Sequence, residues 1–177
     1  MKASDIDLLA ATEGQAVPLD NLLWKVDRSG RATWQDLPTS PGVYAVCLSD
    51  WEVRAFTRHA GRARHASPAD VSQLSDKRDQ ILAAGPTDIL YIGKAGGRGT
   101  RTLRNRIREL ARFGAGRALN HRGGARLWQL DGIDEAHVHM WCCPRGRAES
   151  LESELLDRFR TDHGDWPFAN CVGGFRS

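Results

Sequence analysis

The chain has 177 residues, of which 41% are hydrophobic and 27% are charged, and its formal net charge is +3. This length and composition are typical of one globular domain with added segments that needs no disulfides, and no apolar run approaches the length of a membrane span. The N-terminus does not resemble a signal peptide, so we expect a cytoplasmic protein with no membrane attachment.

Residues 1–40 are predicted to form an N-terminal extension. Trp24 and Trp34 suggest that this extension packs onto the body of the protein, and a short helix is expected over residues 5–11. A run of Pro, Thr, Ser and Gly over residues 38–42 is typical of a break in secondary structure. The main domain is therefore predicted to span residues 41–177.

Within the main domain, apolar periodicity and turn residues predict strands and helices in a mixed order. The predicted elements are a strand over residues 42–48, a helix over 68–84, a strand over 89–93, a helix over 102–113, short strands over 127–130 and 136–142, and a helix over 147–163. Strands come early and helices mostly late, which predicts an α+β domain with a small antiparallel or mixed sheet.

Positive charge is concentrated in one stretch. Residues 94–126 contain ten Lys or Arg and a single acid, Glu109. Such a cluster is typical of a phosphate-binding surface, although a solvated basic face would have the same composition. The residues predicted to bind nucleic acid are the outward arginines of the helix and the basic residues before it: Lys94, Arg98, Arg101, Arg104, Arg108 and Arg112.

Two charged residues fall on helix faces that should be apolar. Arg106 lies on the arc of Leu103, Ile107 and Leu110, and Glu152 lies in the middle of the apolar arc of the last helix. An unpaired buried charge is costly, so each residue needs a partner. Helical phase alone leaves two interpretations open: a buried ion pair between Arg106 and Glu152, or a functional site.

Four elements of the sequence line up with a known pattern: Gly42-Val43-Tyr44, then Tyr91-Ile92-Gly93, then residues 103–107 with Arg106, then Glu152 followed by Asn170. In this order they resemble the GIY-YIG nuclease family, over roughly residues 41–173. The resemblance implies a three-stranded antiparallel sheet flanked by helices. It places the first two motifs on neighbouring strands and the third strand at residues 136–142.

The resemblance also implies a reaction, which is metal-dependent hydrolysis of phosphodiester bonds by an endonuclease. Tyr44 and Tyr91 would bring two phenols together, one of them accepting a proton from the attacking water. Arg106 would hold the scissile phosphate, and Glu152 would ligate Mg²⁺ or Mn²⁺. Two supporting roles are implied as well: Asn170 would support the site by hydrogen bonding, and Gly93, like Gly42 a motif glycine, would let the backbone approach a helix or the phosphate.

The chain departs from the family pattern in two places. A long insertion, residues 49–88, separates the two tripeptides and carries a cluster of basic residues that would either grip substrate or a partner protein or belong to a decorated loop: Arg54, Arg58, His59, Arg62, Arg64 and His65. The second departure is Leu110, where many relatives carry His or Tyr. His121 is the candidate to supply that function, since a histidine can transfer protons near neutral pH.

Two other interpretations are kept beside the nuclease. The first is a catalytically weak or inactive module of the same fold that binds nucleic acid. The second is a nucleotide-binding protein that uses the glycine-rich segment 93–99, which lacks the Lys-Ser/Thr ending of a P-loop. For a nuclease the family analogy favours DNA over RNA, and any sequence specificity would have to come from the insertion, a homodimer or a protein partner.

Overall fold

A computed structural model describes residues 14–27, 34–58, 69–97, 100–117 and 122–170. The helix expected over residues 5–11 lies outside these ranges. The described strands are β1 (Gln15–Pro18), β2 (Gly42–Cys47), β3 (Ile89–Ala95) and β4 (His137–Cys142). The α-helices among the described residues are α1 (Leu19–Asp27), α2 (Val71–Ala84), α3 (Leu103–Gly114) and α4 (Ala148–His163), with short 3-10 segments at Trp51–Val53, Arg122–Gln129 and Ile133–Glu135. The predicted α+β class is confirmed.

The sheet is antiparallel and has the strand order β1-β4-β2-β3. The prediction of three strands was wrong by one, because β1 comes from the segment predicted as an extension and pairs with β4, with Gln15 opposite Met140. Four residues are too few to show an alternating pattern, and the free edge of β4 decides their conformation. As expected, the two tripeptides lie on neighbouring strands, with Tyr44 directly opposite Gly93.

The strand predicted over residues 127–130 is absent. The chain there forms the 3-10 segment Arg122–Gln129, and Leu130 makes only an isolated bridge to Phe56. An apolar run this short does not distinguish a strand from a buried helical turn, since Leu127, Trp128 and Leu130 are buried in either case.

Helices cover both faces of the sheet. On one face, Tyr44 and Val46 of β2 join a core that includes Leu103, Ile107 and Leu110 of α3. Leu19 and Leu22 of α1 are fully buried in the same core, whereas Trp24 is 53% exposed. On the other face, a smaller cluster joins β2, β3 and β4 to α4, and its buried members are Val43, Ala45, Ile92, Trp141 and Leu155. Burial on both faces explains why β2 reads as a continuous apolar run.

The described ends of the insertion are packed on the domain. Trp51 is fully buried, and its indole N–H donates to the carbonyl of Thr87 at 2.6 Å. The buried side chain of Gln129 accepts from the amide of Ala69 at 2.8 Å and donates to the carbonyls of Ala69 and Thr57. Gln129 therefore holds Thr57 and Ala69 together, the two ends of the segment that contains residues 59–68.

No helix among the described residues is long and apolar enough to cross a membrane.

Candidate active site

The two tyrosines of the chain converge on one face of the β2–β3 pair. Their ring centroids are 5.8 Å apart and the rings are tilted by 48°. Gly93 makes this approach possible, because a Cβ at position 93 would lie 2.6 Å from Cζ of Tyr44 and 2.8 Å from Cε1 of Tyr91. The space at Gly93 is thus filled by the Tyr44 ring, which corrects the expectation that it admits a helix or a phosphate.

Both phenols are buried and protonated at neutral pH. The Tyr44 hydroxyl is fully buried; the Tyr91 phenol is its hydrogen-bonding neighbour, although no partner among the described residues meets ordinary hydrogen-bond geometry. Burial is the main cause that raises the pKa of Tyr44 well above its usual range, and the nearby Tyr91 phenol and Glu152 carboxylate raise it further. Burial also raises the pKa of Tyr91. The positive charge of Arg106 opposes both pKa shifts.

Arg106 points inward from α3, as its helical phase predicts, and its side chain is only 19% exposed. Its Nη1 donates to Oε2 of Glu109 at 3.0 Å, one turn further along the same helix. Burial works against the charged guanidinium, but the pKa of Arg106 is raised, because the tyrosines favour the cation once they are ionised and the Glu109 carboxylate favours it already at neutral pH. Arg106 therefore stays charged beside the phenols and is anchored by Glu109.

Glu152 also points inward, and its side chain is 20% exposed. Its Oε2 lies 3.0 Å from Nζ of Lys94, which follows Gly93 on β3. Burial raises the pKa of Glu152, while the charges of Lys94 and Arg106 partly offset that shift. The buried ion pair between Arg106 and Glu152, which the sequence left open, does not form, because each residue has a different partner.

The donor set of the site suits a hard divalent cation that keeps most of its own water. Among the described residues there is no cluster of three or more His, Cys, Asp or Glu side chains that could hold a metal. Glu152 is a partly buried carboxylate, and Glu149 contacts the same lysine, with its Oε1 3.3 Å from Nζ of Lys94. Mg²⁺ is commonly bound by one or two carboxylates together with waters and substrate phosphates, and Glu152 fits that mode.

Asn170 clamps the strand that carries Tyr91. Its Oδ1 accepts from the amide of Ile92 at 2.9 Å, and its Nδ2 donates to the carbonyl of Ile92 at 2.8 Å. The preceding amide, of Ala169, donates to the carbonyl of Leu90. Because β3 is an edge strand of the sheet, Asn170 satisfies backbone groups that would otherwise lack partners, and it fixes the position of the strand beside Tyr91.

The predicted basic stripe divides into residues with different environments. Arg101 and Arg108 are exposed and Arg112 is partly exposed. The guanidinium of Arg104 instead donates to the carbonyls of Leu37 and Gln35 at 2.9–3.0 Å, which removes it from the outward stripe. Lys94 is held by Glu152 and Glu149 rather than directed at solvent. Arg98 lies outside the described residues.

Other predicted positions have simpler outcomes. A Cβ at Gly42 would lie 2.1 Å from the carbonyl oxygen of Trp141, so this glycine permits close packing of β2 against β4. Leu110 is fully buried in the core. Arg54, from the basic cluster of the insertion, pairs with Asp50 and Glu135. His121 lies outside the described residues, as do His59, Arg62, Arg64 and His65 of the insertion.

The start of α3 bears on the nucleotide-binding alternative. The amides of Leu103 and Arg104 donate to the carbonyls of Ser40 and Pro38, and the Thr102 hydroxyl accepts from the amide of Asn105. A phosphate loop needs free N–H groups at the beginning of its helix. In α3 these groups already have partners within the chain, so the nucleotide-binding alternative finds no support.

Two contacts of the site were not predicted from the sequence: that of Glu109 with Arg106 and that of Lys94 with Glu152. Glu109 could have been found, because it lies three residues after Arg106 on a predicted helix and can form an ion pair there. The contact of Lys94 with Glu152 had no signal in the sequence, since the two residues belong to different elements.

Comparison of the chain with protein-family models, with curated proteins and with solved structures gave no match.

Proposed function

We propose that this protein is a metal-dependent endonuclease that hydrolyses phosphodiester bonds in nucleic acid, with DNA as the preferred substrate. The observation that carries the proposal is the pair of adjacent buried phenols together with the partly buried Arg106 and Glu152, whose charges act on the pKa of both phenols. An apolar core gains nothing from this combination, because every member must be desolvated. Phosphodiester hydrolysis uses each of these groups.

The role of each residue follows from its state. Arg106 is charged and paired with Glu109, so it would bind the scissile phosphate and stabilise the negative charge that develops on it. One of the tyrosines would take the proton of the attacking water after its own hydroxyl proton has passed to bulk water; burial raises the pKa of both phenols, and the positive charge of Arg106 partly offsets that shift. Glu152 would hold the divalent cation, which supplies electrostatic stabilisation of the leaving oxygen and activation of water. Asn170 and Gly93 keep the tyrosines in position.

Cleavage of supercoiled plasmid tests the proposal directly. The wild-type protein is incubated with Mg²⁺, with Mn²⁺ or with EDTA, beside the variants Glu152→Gln and Arg106→Ala. We expect nicked and linear DNA with either metal, none with EDTA, and a loss of about 100-fold or more in each variant. Glu154→Gln is the matched control, since Glu154 lies on the same helix but is exposed. Cleavage that resists EDTA, or that survives Glu152→Gln, would contradict the proposal.

A nucleic-acid-binding module without activity is the second candidate. Two observations favour it: Lys94 already neutralises Glu152, and the position of Leu110 is buried and apolar. This module would bind DNA in a salt-dependent way through the exposed arginines of α3, with or without divalent metal. Binding that is unaffected by Glu152→Gln, together with no cleavage of plasmid or of branched and single-stranded substrates, would establish it.

A further inference from the structure

Glu152 and Lys94 form a contact that the predicted roles of these residues do not explain. If Lys94 only bound phosphate, its ammonium would be expected to face solvent. Instead its side chain is 31% exposed, and its Nζ lies between the carboxylates of Glu149 and Glu152, which are neighbours on α4. The ion pairs of the described residues give Glu152 no other partner than Lys94.

The Lys94 ammonium lies where a cation bound to the Glu152 carboxylate would lie. A partly buried carboxylate needs a neighbouring cation, and Lys94 supplies one in the free protein. A divalent cation on Glu152 would lie within a few ångströms of the ammonium, and two positive charges at that distance repel each other strongly where water is largely excluded. Lys94 and a divalent cation therefore compete for the same carboxylate.

We propose that Lys94 competes with the metal for Glu152. In the free protein the Lys94 ammonium pairs with the Glu152 carboxylate, until a phosphate of the substrate draws the ammonium away. This inference rests on the proposed function. Lys94 follows Gly93 on β3, and its side chain lies on the α4 face of the sheet, so a phosphate bound beside Glu152 would be the nearest new anion for this flexible side chain. In the free protein the metal binds weakly, and substrate strengthens metal binding. By linkage, the metal strengthens substrate binding by the same factor.

Mn²⁺ binding to the free protein, without nucleic acid, tests the competition. The free Mn²⁺ signal is followed by electron paramagnetic resonance at pH 8 for the wild type and for Lys94→Met, which keeps the length of the side chain but not its charge. We expect Lys94→Met to bind one Mn²⁺ about 10-fold or more tightly than the wild type, within the usual range of coupling between sites. This gain should disappear in Lys94→Met/Glu152→Gln.

Two further variants make the result decisive. Lys25→Met removes a lysine from a different ion pair, with Asp36, and should bind Mn²⁺ like the wild type. If Lys94→Met does not fold, Lys94→Gln replaces it, because an amide can still donate hydrogen bonds to Glu149 and Glu152. Equal Mn²⁺ affinity of the folded Lys94 variant and the wild type would overturn the inference, as would tight binding that persists without Glu152.

The outcome is separable from that of the proposed function. A protein that cuts plasmid but whose Mn²⁺ affinity is insensitive to Lys94 is a nuclease without this competition, and the inference fails. A protein that never cuts, but in which removal of Lys94 creates tight Mn²⁺ binding at Glu152, has the competition, and the nuclease proposal fails.

Discussion

Gly93 lies opposite Tyr44 across the β2–β3 pair, and the Tyr44 ring fills the space that a side chain at position 93 would need. A Cβ there would be 2.6 Å from Cζ and 2.7 Å from the hydroxyl oxygen of Tyr44, and both distances are too short for real contacts. The ring is fully buried, so it has no free volume into which it could move. Position 93 must therefore be glycine for the Tyr44 ring to take up its buried position.

Gly93→Ala should destabilise the protein by about 1–3 kcal/mol, the usual effect of overpacking a core, and should lower any cleavage activity by displacing Tyr44. Urea unfolding measures the loss of stability. The control is the same substitution in a Tyr44→Leu background, where Cζ and the hydroxyl are gone and the loss should be smaller. An equal loss in both backgrounds would show that the contact with Tyr44 is not the cause.

Tyr44→Phe should separate stability from activity. Among the described residues the buried Tyr44 hydroxyl has only the Tyr91 phenol as a neighbour and no hydrogen bond of ordinary geometry, so its removal should leave the free energy of unfolding unchanged or raise it by up to about 1 kcal/mol. If the phenol takes part in proton transfer, cleavage should fall about 100-fold or more. Unfolding curves and plasmid nicking on the same preparation provide both numbers. A clear loss of stability would mean that the hydroxyl has a structural partner.

The same variant has an expected pH dependence. The pKa of Tyr44 is raised in the folded protein, whereas in the unfolded chain it is near the ordinary value of about 10. The contribution of the protonated Tyr44 phenol to the free energy of unfolding is therefore complete below pH about 10, and it is lost as pH rises towards the folded-state pKa. Between pH 9 and 11, the stability of Tyr44→Phe should fall less steeply than that of the wild type. Parallel curves would contradict the buried, protonated phenol.

Much of the fold followed from local patterns. The strands at residues 42, 89 and 137 and the helices α3 and α4 lie within a few residues of their predicted positions, because each has strong periodicity and clear end signals. The inward phases of Arg106 and Glu152 followed from the same periodicity. Strand β1 did not, because its conformation depends on the edge of β4 and not on its own sequence.

Partner choice was much harder to predict than position. Arg104 was expected to face solvent, but the carbonyls of Gln35 and Leu37 take up its guanidinium. Lys94 was expected to face phosphate, but Glu152 holds it. A helical wheel gives the direction of a side chain relative to its own helix. It contains no information about which distant segment packs against that face.

The arginines of α3 allow a matched comparison of structural and binding roles. Arg104→Ala should destabilise the protein by about 1–3 kcal/mol, because it leaves the partly buried carbonyl of Leu37 without its two Arg104 donors and removes a further hydrogen bond to the exposed Gln35. Arg108→Ala should change stability by less than about 0.5 kcal/mol, since Arg108 is exposed, but should weaken DNA binding and reduce its salt dependence. Urea unfolding and fluorescence anisotropy at several salt concentrations measure the two effects. Weaker DNA binding with unchanged stability in Arg104→Ala would mean that Arg104 binds nucleic acid after all.

Asn170→Ala should loosen the edge of the sheet. Two hydrogen bonds to Ile92 would be lost, and a partly buried N–H and C=O would lose their partners, at a loss of about 1–3 kcal/mol. The amide of Ile92 should exchange with solvent faster, which amide hydrogen exchange detects at that residue. Asn105→Ala, at an exposed position on α3, is the control and should change neither stability nor exchange. Unchanged protection of the Ile92 amide would mean that Asn170 does not hold β3.

Glu152 should make folding stability depend on pH in the direction opposite to that of an ordinary surface carboxylate. Burial raises its pKa in the folded protein above the ordinary value, despite the nearby charges of Lys94 and Arg106. The folded state therefore binds the proton more tightly than the unfolded state does. The resulting stabilisation is present below the unfolded pKa and is lost as pH rises through the folded pKa. At pH 8 Glu152 is ionised, and its burial in that state lowers the free energy of unfolding.

The comparison of wild type with Glu152→Gln isolates this effect, because the other titrating groups are the same in both proteins. Urea unfolding should show Glu152→Gln gaining stability relative to the wild type between pH 4 and pH 8. Glu154→Gln, at an exposed position of the same helix, should show no such gain. The opposite trend would mean that the ion pair with Lys94 outweighs burial and that Glu152 is a stabilising residue. Metal-dependent cleavage should in turn fail on the acid side at a pH above that of an ordinary glutamate, because the proton and the metal compete for the same carboxylate.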